Sequence, residues 1–125
     1  MRVGRSGFTL IELLVVLAIV SLLLTLSLPR YFHSIDHAKE VTLAENLRVT
    51  RDAIDKFYSD VGKYPDGLQQ LVDKRYLRAL PFDPVTGSAA TWIVVSPDDP
   101  SKGNIYTIRS GAPGSASDGK PFFEF

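Results

Sequence analysis

Phe8 to Leu28 form an apolar run of 21 residues, FTLIELLVVLAIVSLLLTLSL, in which Glu12 is the one charge, with Arg2 and Arg5 before it and Arg30 after it. A helix rises ~1.5 Å per residue, so the run spans roughly 32 Å, enough to cross the hydrocarbon core of a bilayer. A cleaved secretory signal also starts with basic residues, but its apolar core is usually ~7–15 residues and a small-x-small cleavage site follows it. Here the run is longer and ends in Leu28-Pro29-Arg30, while the small residues stand in front of it, at Ser6-Gly7-Phe8. The run therefore reads as an anchor that is kept.

Composition removes several function classes. The 125 residues hold one small domain. Fourteen basic residues balance fourteen acidic ones, a net charge of +0, so no cationic excess grips phosphates and nucleic acid is not an expected partner. Zero cysteines exclude disulfides, thiol catalysis and cysteine-ligated zinc. Glycine-rich phosphate loops, a nucleophile elbow and a His-Glu zinc helix are missing, and a domain of about ninety residues leaves little room for a pocket. No enzyme is expected. His33 and His37 lie one helical turn apart beside Asp36 and Glu40, but the chain has no third histidine, so zinc is not expected either.

Glu12 stands out. A carboxylate in an apolar helix costs free energy, ~2.5–3.5 kcal/mol at mid-bilayer for the comparable Asp and less near the interface, and such groups are functional by default.

Pro29 is expected to kink or interrupt the helix, because it lacks an N–H and crowds the preceding turn. From Tyr31 to about Val61 the positions Phe32, Ile35, Ala38, Val41, Ala44, Leu47, Ile54, Phe57, Tyr58 and Val61 recur at helical spacing. That pattern predicts an amphipathic helix packed on a sheet, stopped by Gly62 in a left-handed conformation. Leu68, Leu71 and Val72 share one face of a short helix, and Pro81 with Pro84 makes a rigid turn. Thr91–Val95 and Ile105–Ile108 read as strands of a small antiparallel sheet, with Asp98 and Asp99 as turn residues in the connection. Ser110 to Gly119 reads as a flexible loop without core side chains, and Phe122, Phe123 and Phe125 as a clamp that docks back. The fold class is α+β.

Gly7 followed by Phe8-Thr9-Leu10-Ile11-Glu12 resembles the processing site of type IV prepilin-like proteins. Asp60-Val61-Gly62-Lys63-Tyr64-Pro65, Gly67-Leu68-Gln69-Gln70-Leu71 and Leu80-Pro81-Phe82-Asp83-Pro84 resemble, in order and spacing, the D-x-G-x-Y-P, G-L-x-x-L and L-P-x-D-P blocks of the major pseudopilins of type II secretion. The resemblance implies a pilin-like fold and three parts: a leader, residues 1–7; a transmembrane and filament-core helix, residues 8–28; and a periplasmic domain, residues 29–125. It implies that a prepilin peptidase cuts between Gly7 and Phe8 and N-methylates Phe8. It also implies that Glu12 pairs with the Phe8 amine of a neighbouring subunit. The implied partners are further copies of the chain, the peptidase, minor pseudopilins and the inner-membrane secretion platform, in a periplasmic filament that drives export of folded proteins across the outer membrane. Members of that family commonly hold calcium in the C-terminal loop, for which Asp118 is the candidate ligand, with Ser115, Ser117 and Glu124 nearby and Pro113 where an aspartate often stands. Two other readings stay open: a type IV pilin of a surface fibre, and an uncleaved bitopic protein with a periplasmic binding domain. The missing cysteines and the D-x-G-x-Y-P block favour the pseudopilin.

Overall fold

The computed structural model describes residues 7–125; Arg2, Arg5 and the rest of the expected leader before Gly7 lie outside the described residues. Helix α1, Leu10–Val61, runs through Pro29, so the expected interruption does not occur. Proline removes the N–H that the Thr25 carbonyl would accept and crowds that carbonyl, and the helical ladder on either side carries α1 across the gap. Hydroxyls along this stretch are satisfied within the helix: Thr25, Ser27 and Ser34 each donate to the carbonyl four residues back, at 2.8, 2.9 and 3.0 Å. Back-bonding of this kind hides donors that hydrocarbon cannot satisfy.

The chain divides into two compact units, Met1–Ile35 and Asp36–Phe125. In the first, every residue from Gly7 to Ser34 is exposed. In the second, α1 buries Leu43, Leu47, Thr50, Ala53, Ile54 and Phe57 against Leu71, Leu77, Ile105, Ile108, Ala112, Ala116 and Phe122. The buried stripe differs from the expected one: Val41, Ala44 and Val61 are exposed, whereas Leu43, Thr50 and Ala53 are inside. Thr50 passes as apolar because its hydroxyl donates to the Asn46 carbonyl at 2.7 Å.

Gly62 closes α1 at φ +81°, its N–H bonded to the Tyr58 carbonyl at 2.8 Å, as expected for a left-handed helix stop. The short helix α2, Leu68–Asp73, buries Leu71 and packs Leu68 and Val72 on the core. Strands β1, Ile93–Val95, and β2, Thr107–Arg109, pair antiparallel, with Val94 opposite Ile108. Both are shorter than expected: the Tyr106 N–H still donates to the Val95 carbonyl at 2.9 Å, but the Ile105 N–H turns to the Pro65 carbonyl at 3.0 Å, while the Trp92 side chain is held by its indole N–H on the Pro81 carbonyl at 2.8 Å. Asp99 does make the turn, accepting from the Ser101 hydroxyl at 2.7 Å and the Ser101 N–H at 3.0 Å to cap the one-turn helix Pro100–Lys102; the hydroxyl bond first and the N–H bond second hold its carboxyl below the usual range. Arg51 joins helix, sheet and C-terminal turn, donating to Thr107 Oγ1 at 3.2 Å, the Ile108 carbonyl at 3.0 Å and the Phe125 main-chain oxygen at 2.8 Å.

The C-terminal segment departs from expectation in two respects. Ser110, Ala112 and Ala116 are buried, so the loop contributes to the interior. Its small side chains suit a place where backbone meets backbone: a Cβ on Gly111 would collide with the Thr91 carbonyl. Of the three terminal aromatics, Phe122 is buried and Phe125 packs on the core, but Phe123 is exposed with the Arg109 guanidinium 5.2 Å above its ring.

The three sequence blocks of the domain are scaffold. The Asp60 carboxylate accepts from the Tyr76 hydroxyl at 2.6 Å, and the Tyr64 ring stacks on Tyr58 at 4.3 Å. Asp83 is fully buried, and its carboxylate accepts from the Val85 and Thr86 N–H groups at 2.9 and 3.3 Å and from the Ser110 hydroxyl at 2.6 Å. It thereby ties the Pro81–Pro84 turn to the start of the C-terminal loop. Asp83→Asn keeps the shape but replaces charge-assisted bonds with neutral ones, and is expected to cost about 1–2 kcal/mol. Urea unfolding of the two proteins in detergent should show the midpoint fall; an unchanged midpoint would mean the buried charge contributes nothing.

Candidate processing and assembly site

The site begins with Thr9. Its Oγ1 accepts from the Glu12 N–H at 3.1 Å and its carbonyl from the Leu13 N–H at 3.1 Å, which makes it the N-cap of α1. The signal was present in the sequence as T-x-x-E, the pattern of a capping box, and the reading of the sequence missed it. The cap fixes where the helix starts, leaving Gly7 and Phe8 outside it and Glu12 in its first turn, where a negative charge suits the helix dipole. Among the described residues the Glu12 carboxylate has neither a hydrogen-bond partner nor an ion pair. Phe8 is 83% exposed. A Cβ on Gly7 would meet no atom within 4 Å, so nothing among the described residues requires glycine there.

The large apolar side chains from Phe8 to Leu28 are 46–83% exposed, and α1 contains a stretch long and apolar enough to cross a membrane, none of it buried by this chain. Apolar surface on that scale marks contact with lipid or protein. Pro29 lies inside α1 beyond the apolar run, and His33 and His37 are exposed further along the same helix. His37 Nδ1 lies 3.7 Å from a Glu40 carboxylate oxygen.

Asp118 belongs to a separate place, the C-terminal loop. One of its carboxylate oxygens accepts from the Lys120 N–H at 3.0 Å, a local turn. Calcium takes six to eight oxygens, usually from more than one carboxylate. Among the described residues no three His, Asp or Glu side chains group in a way that could hold a metal ion, and within residues 110–119 Asp118 is the one carboxylate.

Residues 2–28 match the prokaryotic N-terminal methylation motif. Over 94% of its length the chain is 29% identical to type II secretion system core protein G of Klebsiella michiganensis, covering 92% of that protein. It is 33% identical to core protein G of Pseudomonas aeruginosa over 66% of this chain and 70% of that protein. Fimbrial protein EcpC of Eikenella corrodens is 28% identical over 92% of this chain and 78% of its own. No solved structure gives a significant match. With the methylation motif on its capped apolar helix and core protein G similarity over most of its length, the chain belongs to the type II secretion core protein G family, as a major pseudopilin that is structural and not an enzyme.

Proposed function

We propose that Gly7–Phe8 is the bond cut by a prepilin peptidase, that Phe8 becomes the N-methylated first residue, and that Glu12 receives the Phe8 amine of the neighbouring copy as subunits join. The observation that carries this reading is Glu12 itself: a carboxylate without a partner among the described residues, held by the Thr9 cap in the first turn of an exposed apolar helix. Gly7 supports it, since its lack of a side chain answers no need among the described residues and suits an extended peptidase cleft. On this reading residues 1–7 are the leader, residues 8–28 anchor the precursor in the inner membrane, and residues 29–125 lie in the periplasm. Loss of the leader removes Arg2 and Arg5, leaving 12 basic against 14 acidic side chains, a net charge of −2. Polymerised subunits cover one another's apolar helices and so leave lipid without exposing them to water. The peptidase, minor pseudopilins and the inner-membrane platform are the partners, and folded proteins crossing the outer membrane are the cargo.

Mass spectrometry of the protein from a host carrying the peptidase should show loss of residues 1–7 and one added methyl group on Phe8. An intact N-terminus in that host would overturn the reading. Gly7→Val should block the cut while leaving the Asp36–Phe125 unit folded.

A further inference from the structure

Beyond the packing of Ala112 and Ala116 on the core, the α1 side chain Glu40 hydrogen-bonds the C-terminal loop directly. Glu40 takes the Ser117 N–H at 2.6 Å on one carboxylate oxygen and the Ser117 hydroxyl at 2.8 Å on the other, across 77 residues of sequence. The Glu40 side chain is only 13% exposed, and a carboxylate so far withdrawn from water needs strong donors. Ser117 supplies both, while His37, one turn back on the helix, stands 3.7 Å away and is itself exposed. Around this clasp the loop closes on itself: the Ala116 N–H donates to the Lys120 carbonyl at 2.8 Å, the Gly119 N–H to the Ala116 carbonyl at 2.9 Å and the Phe122 N–H to the Gly114 carbonyl at 3.3 Å. Asp118 Oδ1 accepts from the Lys120 N–H at 3.0 Å. The Lys120 ammonium sits 5.4 Å from the centre of the Phe125 ring.

We propose that Glu40 is the lock of the C-terminal loop and that it holds the loop closed without a divalent cation. A bound cation would close such a loop by gathering oxygens from within it. Here the polarity is reversed: an anion from outside the loop gathers donors that the loop presents. The loop itself, residues 110–119, supplies one carboxylate, Asp118, where calcium usually takes more than one.

The test is amide hydrogen exchange and thermal melting of the full chain in detergent micelles, with calcium chloride and with a calcium chelator. Exchange at Ser117 and the melting temperature are expected to be the same in both. Glu40→Ala should speed Ser117 exchange by about tenfold or more, the loss of roughly one charge-assisted hydrogen bond, and calcium should not restore it. Should that variant fail to fold, Ser117→Ala removes only the hydroxyl bond and should still speed exchange at that amide severalfold. The proposal is overturned if calcium slows exchange or raises the melting temperature of the unaltered protein, or if exchange at residue 117 is unchanged in both variants.

Discussion

Gly103→Ala is expected to cost about 3–5 kcal/mol, a large part of the ~5–15 kcal/mol that holds a typical domain together. Two independent terms add. The residue lies at φ +112° and ψ −170°, a region that is essentially glycine's alone and costs of order 1–3 kcal/mol for a side chain. A Cβ there would also collide with the Tyr64 backbone carbonyl, and overpacking of that kind typically costs 1–3 kcal/mol. Neither neighbour can easily give way. The Tyr64 N–H is bonded to the Lys102 carbonyl at 2.6 Å, and the Pro65 carbonyl accepts from Asn104 and Ile105 at 3.3 and 3.0 Å. Gly119→Ala is the control. It has a left-handed φ of +88° but open space around it, so only the backbone term, about 1 kcal/mol, applies. Urea unfolding followed by Trp92 fluorescence should separate the two variants by at least about 2 kcal/mol; equal losses would show that the approach of Gly103 to Tyr64 is not tight.

Two glycines, Gly62 and Gly103, show which parts of the fold are legible in the sequence. Gly62 ends a periodic helix, so its left-handed role can be read from its neighbours alone. Gly103 owes its role to Tyr64, 39 positions away, and no local pattern announces that contact. The apolar run and the length of α1 are legible for the first reason, since each residue in them obeys local periodicity. The buried face of α1 is not. Val41 and Leu43 are equally apolar, and which of them points inward depends on where α2 and β2 lie. Asp83 stood in a recognisable block, yet its burial against Ser110 is non-local. At the processing site the reverse holds: Gly7, Phe8, Thr9 and Glu12 are contiguous, and there even the missed element, the Thr9 cap, was written in the spacing. Glu40 and Ser117 mark the other extreme, two ordinary polar residues that only the folded chain makes into a clasp.

Glu12→Ala is expected to leave processing intact and to abolish filament formation. The substitution leaves the residue 12 N–H in place, so the Thr9 Oγ1 bond at 3.1 Å that starts α1 survives and the peptidase meets the same chain. What it removes is the carboxylate that, on the proposed reading, neutralises the amine of the next copy's Phe8. An amine packed among apolar helices without a counter-charge is penalised by about 3–5 kcal/mol, the usual cost of breaking a buried pair, which corresponds to roughly 10²–10⁴-fold weaker subunit association. Every subunit in a polymer would carry the same penalty, so the loss compounds along the filament and sheared filaments should be undetectable. Thr9→Ala tests the alternative, that assembly depends on the helix start and not on the charge. It forfeits a cap worth about 0.5–2 kcal/mol but keeps the carboxylate, and should lower filament yield without eliminating it. Mass spectrometry and sheared-filament yield from the same cells keep the two steps apart. Methylated Phe8 with no filament is the result the ion pair requires; normal filaments from Glu12→Ala would remove the pair and leave cleavage at Gly7 to stand on its own.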